Sequence, residues 1–408
     1  MIRFIHCADI HLGRTFQTST DMSDRFIQEA VRSTYDSFEK IVKEAISKNV
    51  DFILISGDVY DQKQRSIRGQ WFIKKQAEKL LKYNIQVFMI HGNHDPLLNE
   101  RQMIGMPENV FIFSTEVSHK EYVTSQGEKV IIYGFSYPES AFTENPTPHY
   151  KKVENTEAYH IGLLHGQEKG QQGHDAYAPF TVHSLEEKGF DYWALGHIHQ
   201  RQVLRENPPI VYSGNIQGCH RKETGAKGAY YVELSPSESQ LQFIETSPIR
   251  WEHHRLSISE LQTINELVEE FNETVKTSKE KRIVMVTIEG SGILHDKLSD
   301  QRSRQEIITF LYEEWTDDDI SIDRIVFDTL PNLQREVWKQ QDHLLGDVIR
   351  LREEMETDES LSEVLSPLFS HHKIRSYLND LTVDEHKEII EKAERMILTT
   401  LLEEGKET

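Results

Sequence analysis

Residues 85–96 read IQVFMIHGNHDP, an unbroken apolar run that stops at His91 and Gly92 and delivers Asn93, His94 and Asp95 side by side. Val87, Phe88, Met89 and Ile90 do not alternate with polar residues, so they fit a strand buried on both faces. Such a strand needs cover above and below. Its polar end needs a separate explanation, because three such groups in a row have no place in an apolar core.

Similar runs flank it. IRFIHCA, DFILISG and IQVFMIHG alternate with amphipathic segments at 23–48 and 68–83, and Phe26, Ala30, Tyr35, Phe38, Ile41, Val42, Ala45 and Ile46 recur near helical spacing in the first of these. Strand, helix, strand, helix implies parallel pairing through right-handed crossovers, hence an α/β fold with helices on the faces of a sheet. After Val110 shorter strands follow (VFIF, EYVTS, KVIIYGF, YHIGLLHG, DYWALGH, PIVYSGN, AYYVEL, QFIET), which predicts a mixed, layered sheet.

A second unit is expected from about Pro248, where RWEHHRLSI, a helix near 261–275, RIVMVTIEG, a helix near 304–315 and SIDRIVFDTL form a small α+β module. Beyond Pro331 the text is helical and charged, with ten Lys and Arg against eighteen Asp and Glu. The division expected is 1–248, 249–330 and 331–408. In the last segment Ile389, Ile390, Ala393, Met396, Ile397, Leu401 and Leu402 make one apolar stripe, which suits a helix packed on its own domain or one docked on a partner. There are no internal repeats.

A chain of 408 residues is long for one domain, and two or three are the natural expectation. The net charge of -21 excludes a surface that is basic all over, so any polyanion must be met locally. Cys7 and Cys219 are far apart and lack CxxC spacing, which supports neither a disulfide framework nor a thiolate zinc site. The start MIRFIHCADIHLG has no apolar run after a basic opening, and no stretch reaches 18 apolar residues, so a cytoplasmic protein without a membrane segment is expected.

Ligands of open α/β sheets gather beyond the carboxyl ends of the strands. Those ends carry Asp9 and His11 (ADIHLG), Asp58 and Asp61 (SGDVYD), Asn93, His94 and Asp95 (GNHD), His165 (LLHGQ), and His197 and His199 (GHIH). Carboxylates and imidazoles crowded together lose solvation and repel unless a cation sits among them. Nitrogen and oxygen donors without thiolate suit manganese, iron or zinc, and seven of them suit two ions sharing a carboxylate. Gly57, Gly92 and Gly196 precede ligands where a strand must turn sharply. His91 reads as a locally bonded strand residue, and His6 stays open between packing and support of the site.

The ordered set DIH, GDVYD, GNHD, LLHG and GHIH resembles the calcineurin-like metallophosphoesterases, and the spacing and tail resemble their SbcD branch of DNA-repair exonucleases, with YhaO-type bacterial proteins most similar. The likeness covers about residues 3–200, and YSGNIQG with ETGAKGAYYVEL extends it to about 234. It implies a layered mixed β-sandwich core flanked by helices. It further implies that Asp9, His11, Asp58 and His199 hold one ion and Asp58, Asn93, His165 and His197 the other. His94 would then stabilise the phosphorane-like charge or protonate the leaving oxygen, with Asp95 orienting its ring. Asp61 stands where some members of the wider nuclease family have histidine, which leaves strand polarity open.

The resemblance implies a DNA phosphodiesterase using two divalent ions, Mn2+ foremost with Fe2+ or Zn2+ as alternatives. It also implies a homodimer, a DNA-capping role for 249–330, and docking of an SMC-like coiled-coil ATPase by 331–408. No GxxxxGK[ST] segment occurs, so nucleotide hydrolysis would belong to that partner. Within 62–75, Lys63, Arg65, Arg68, Lys74 and Lys75 occur with no acid among them, which suits phosphate contacts or a solvated helix face. Arg14, Lys169, Arg221, Lys222 and Lys227 extend the candidates, and His220 with Arg221 suits phosphate or solvent equally. Two rival readings are a phosphoesterase for a phosphoprotein, cyclic nucleotide or lipid precursor, and a non-catalytic scaffold that keeps the metals.

Overall fold

The structure, a computed structural model, describes residues 1–19, 24–61, 66–97, 104–154, 156–170, 177–276, 280–315, 319–332, 335–355, 364–365, 367 and 383–404. Lys63 and Arg65 of the basic segment lie outside the described residues, as does the side chain of Leu402.

Two six-stranded sheets form the first part of the chain. One runs β12-β11-β1-β2-β3-β4, with β1 (Ile2–Cys7), β2 (Phe52–Ser56), β3 (Gln86–Ile90) and β4 (Val110–Ile112) parallel, and β11 (Gly228–Leu234) and β12 (Ser239–Glu245) antiparallel on the β1 side. The other runs β5-β6-β7-β8-β10-β9. In it β6 (Lys129–Gly134), β7 (Tyr159–His165), β8 (Tyr192–Gly196) and β10 (Pro209–Tyr212) are parallel, while β5 (Ser118–Val123) and β9 (Gln202–Glu206) close the edges antiparallel. Helices α1 (Asp24–Ser47) and α2 (Ile67–Leu81) are the crossovers between β1, β2 and β3. A short α3 (Val182–Glu186) precedes β8.

Side-chain alternation explains why the apolar runs are unbroken. Phe4, Phe52, Leu54, Phe88 and Ile90 face Val130, Ile132, Ile161, Leu163 and Ala194 in a core between the sheets. Their neighbours Ile5, Cys7, Ile53, Ile55, Val87 and Met89 point the other way, onto Phe38, Ile41, Val42 and Ala45 of α1 and Ile73 and Leu80 of α2. The second sheet repeats the pattern, with Tyr133, Leu164, Trp193 and Leu195 packed on Tyr150, Leu185 and Phe190. Each central strand is therefore covered on both faces, and the architecture is a mixed β-sandwich flanked by helices. Cys7 and Cys219 are free and buried.

Further on, β13 (Ile249–Ser257), β14 (Lys281–Ser291) and β15 (Ile320–Leu330) form a three-stranded sheet, accompanied by α4 (Ile264–Val275), α5 (His295–Ser299) and α6 (Gln301–Glu314). The tail carries α7 (Arg335–Lys339), α8 (Leu344–Glu354) and α9 (Val383–Glu404). The chain divides into two compact units, Met1–His254 with Lys276–Val286 and Thr316–Arg324, and Arg255–Val275 with Thr287–Trp315 and Ile325–Thr408. In the second unit α9 packs on α8, with Arg352 3.6 Å from Glu391. The apolar stripe read along α9 is unevenly covered, Ile390 being buried and Ile389 and Leu401 half-buried while Ala393, Met396 and Ile397 are exposed. No helix among the described residues is long and apolar enough to cross a membrane.

His6 belongs to the core. Its Nδ1 lies 3.0 Å from the Tyr192 hydroxyl and its Nε2 3.1 Å from the Leu195 carbonyl, so Nε2–H donates and Nδ1 accepts. Burial pushes its pKa down to about 3, against a pull upward from the Leu195 carbonyl. Because the folded value lies below the unfolded one, the stability that neutral His6 contributes is fully present above about pH 6.5 and drains away as pH falls toward 3. Urea unfolding at pH 7.5 and 5.0 is expected to show the wild type losing about 2 kcal/mol more than His6→Gln over that interval, from ~1.4 kcal/mol per pH unit. Equal losses in both proteins contradict a neutral buried imidazole.

Candidate metal centre

The loops leaving β1 and β2 are tied to each other before any side chain is considered. Asp9 N donates to Gly57 O (3.1 Å), His11 N to Asp58 O (3.0 Å) and Leu12 N to Val59 O (3.0 Å). On this double loop, three of the expected ligands themselves occupy left-handed backbone, Asp9 (φ +50°), His11 (+45°) and Asp58 (+51°), and His197 after β8 does so too (+99°). Each such residue costs on the order of 1–3 kcal/mol, a strain found where surroundings fix a functional geometry.

The glycines have a role partly different from the one expected. Only Gly57 (φ +94°) makes a turn that demands glycine. Gly92 and Gly196 are needed for space instead. A Cβ on Gly92 would collide with Asp58 Oδ1 and lie 2.6 Å from His165 Nε2, and one on Gly196 would collide with the Ser56 carbonyl and lie 2.9 Å from His165 Nδ1.

All seven expected ligands come together. His11 Nε2 is 3.1 Å from His199 Nε2 and 3.7 Å from Asp58 Oδ2, and His199 Nε2 is 4.0 Å from Asp9 Oδ1. On the other side of Asp58, His165 Nε2 lies 3.5 Å from Oδ2, and Asn93 Oδ1 lies 3.0 Å from His165 Nε2 and 3.2 Å from His197 Nδ1. Three sets, Asp9 with His11 and His199, His11 with Asp58 and His94, and Asp9 with Asp58 and His165, each place ligand atoms within 4.8 Å of one another. Asp58 and Asp9 each serve in two sets. The donors are all oxygen or imidazole nitrogen, so they fit divalent cations.

Burial and mutual charge act on these groups in opposite directions. Burial raises the Asp9 carboxyl above the usual range. Burial would raise Asp58 too, but the imidazoles of His165, His11 and His94 outweigh it and hold Asp58 well below that range. Burial opposes charge on His165, yet Asp58 and Asp9 lift it to about 9, whereas burial keeps His11 well below its ordinary value. The groups can only neutralise one another by proton sharing, a function a cation performs better.

His94 lies at the edge, about a quarter exposed, with its ring edge-on to His11 at 4.8 Å. Its orienting neighbour differs from the one expected. Asp95 is buried, and its carboxylate accepts from Val59 N (2.8 Å), Tyr60 N (3.2 Å) and Gly92 N (2.8 Å) and lies 2.9 Å from His91 Nδ1. It fastens the β3 loop to the β2 loop, and His91 is its structural partner. The carboxylate beside the His94 ring is Asp61, 3.5 Å from Nδ1. Burial lowers His94, but Asp61 and Asp58 together raise it.

One participant, at the head of the ETGAKGAYYVEL stretch, was not among the expected site residues. Glu223, after β10, sits 2.5 Å from His199 Nδ1, and although burial would raise its carboxyl, the imidazole brings it down to about 2. A cleft of about 770 Å³ opens beside these groups, with Arg14, His220, Lys222 and Lys227 on its walls. Of the other basic candidates, Arg221 reaches Ser19 Oγ (3.4 Å), while on α2 Arg68 lies 5.7 Å from the Tyr35 ring and Lys74 and Lys75 flank Trp71.

Residues 2–201 match the calcineurin-like phosphoesterase family. The chain is 33% identical over 399 residues to the uncharacterized metallophosphoesterase YhaO of Bacillus subtilis (strain 168), covering 96% of each protein. It is 27% identical over 279 residues to the DNA double-strand break repair protein Mre11 of Methanocaldococcus jannaschii, covering 65% of this chain and 72% of that one. To Mre11 of Saccharolobus solfataricus it is 23% identical over 400 residues, 90% and 99% of the two chains.

The need for space at Gly92 is directly testable. Titration calorimetry is expected to show Gly92→Ala binding Mn2+ at least about tenfold more weakly than wild type, as for loss of a ligand's support. Gly105→Ala, whose Cβ would meet nothing within 4 Å, serves as the control and is expected to bind normally. Equal affinity in all three proteins contradicts the packed geometry described.

Proposed function

As the chain belongs to the calcineurin-like metallophosphoesterase family, a family of phosphoester hydrolases that use divalent metals, we propose that its substrate is DNA and its reaction the hydrolysis of a phosphodiester. The observation carrying this is the convergence of Asp9, His11, Asp58, Asn93, His165, His197 and His199 beneath a cleft whose rim holds His94 and basic side chains.

Asp9, His11, Asp58 and His199 would hold one ion and Asp58, Asn93, His165 and His197 the other, with the Asp58 carboxylate shared. When bound, such a pair supplies Lewis-acid neutralisation of phosphate charge and lowers the pKa of water to the neutral range. The chain's own groups do the rest. His94, held by Asp61 and kept charged more readily than an isolated imidazole, gives its proton to the departing sugar oxygen. Arg14 and Lys222 on the cleft wall meet phosphate oxygens that the acidic exterior would otherwise repel. Asp95 acts at a distance, keeping the β3 loop in register with Asp58.

The Mre11 similarities support DNA as the substrate, and the cleft's basic wall supports a phosphate-rich ligand of some kind. From the resemblance of its motifs to SbcD-type nucleases we further propose that the physiological ion is Mn2+, that the protein pairs with itself, that residues 249–330 restrict access of DNA, and that 331–408 dock an SMC-like coiled-coil ATPase.

Purified protein with Mn2+, end-labelled single- and double-stranded DNA and a generic phosphomonoester tests this reading. DNA is expected to be cut, and His94→Ala to lose roughly 10²–10⁴-fold in rate with metal binding intact. Turnover of the monoester alone removes DNA as the substrate. Unchanged cutting by His94→Ala removes the proton donor.

A further inference from the structure

The four imidazoles of the cluster are not anchored alike. His165 donates from Nδ1 to a neutral main-chain carbonyl, Ser56 O, at 2.9 Å. His11 has its Nδ1 buried without a hydrogen-bond partner among the described residues. His199 has a carboxylate on the nitrogen that faces away from the cluster, Glu223 Oε1 at 2.5 Å from Nδ1. A carboxylate there fixes the tautomer with Nδ1 protonated, so the Nε2 lone pair faces the site, and it also strengthens that nitrogen as a donor.

Glu223 is itself held rigidly. Its second oxygen accepts from Cys219 N (2.7 Å), and its own N–H donates to His220 O (2.8 Å), which closes a tight turn. The same segment grips His199 from behind, since the Lys227 ammonium donates to His199 O at 3.1 Å and Asn215 N donates to it at 3.2 Å. Residues 215–227 thus form a strap that orients one ligand at both its ring and its backbone. No equivalent charged anchor is seen at His165.

From this juxtaposition we infer that Glu223 is a positioning residue that gives the ion site built on His199 its affinity, so that its loss is felt at that site rather than at the other. The site on Asp9, His11 and His199 depends on the 215–227 strap, whereas the site on Asn93, His165 and His197 does not. Removing the carboxylate therefore weakens the hold on one ion and spares the other. Glutamine at 223 is an intermediate case. Its carbonyl oxygen can still accept from His199, but its amide then turns a donor toward Cys219 N–H.

The inference rests on the two-ion reading, and the test separates the two. Apo wild type, Glu223→Ala and Glu223→Gln are titrated with Mn2+ by calorimetry, with thermal unfolding of each apo protein to verify folding. The wild type is expected to bind two ions. Glu223→Ala is expected to keep one at wild-type affinity and bind the other roughly 10- to 100-fold more weakly, with Glu223→Gln between. If the wild type does not bind two, the two-ion reading fails. If it does and both variants match it, or both ions weaken alike in a folded variant, the inference about Glu223 fails. Should Glu223→Ala not fold, the Gln variant decides by the same criterion of unequal loss.

Discussion

Two carboxylates, Asp9 and Asp58, are buried side by side at the meeting of two sheets, each 1% exposed, and everything around them exists to make that tolerable. Buried like charges are expensive, and imidazoles only share protons with them. The backbone adds further strain, since both aspartates and two of the histidines adopt left-handed angles. Such a knot in the loops after β1, β2 and β8 fits cation binding, because no gain in stability accounts for it.

The cluster draws on both sheets: β1, β2 and β3 supply Asp9, His11, Asp58 and Asn93, while β7 and β8 supply His165, His197 and His199. Its geometry therefore inherits the packing of Phe4, Phe52 and Leu54 against Ile161, Leu163 and Ala194 between the sheets. Cores of this kind are close-packed, so a shift of one sheet on the other would move half of the donors relative to the rest. Asp95, His91 and the laced loops of β1 and β2 add local stiffness. Rigid strands supply precision and the exposed rim, with His94 and Asp61, supplies the group that meets substrate.

Much of this was legible in the sequence because the ligands sit at the ends of five apolar runs, so local pattern and chemistry coincide. The parallel strands and crossover helices followed from the same runs. What stayed hidden depends on contacts distant in sequence or on backbone angles. The resemblance made Asp95 the partner of His94, yet Asp95 turns inward to the β2 loop while Asp61 faces the imidazole. Glu223 lies in a turn with no periodic signal. Strand β9 escaped notice because QVLRE is a half-exposed edge that ends in Arg205 and Glu206, and the stripe in α9 is only partly covered, with Ile390 buried and Met396 and Ile397 exposed.

The claim that donors from five strand ends cage a pair of cations is most directly tested by anomalous diffraction from crystals grown with Mn2+. The account predicts two anomalous peaks roughly 3.5–4 Å apart, flanking the Asp58 carboxylate, one toward His199 and one toward His165. A single peak that leaves no room for a second, or manganese bound away from Asp58, contradicts it.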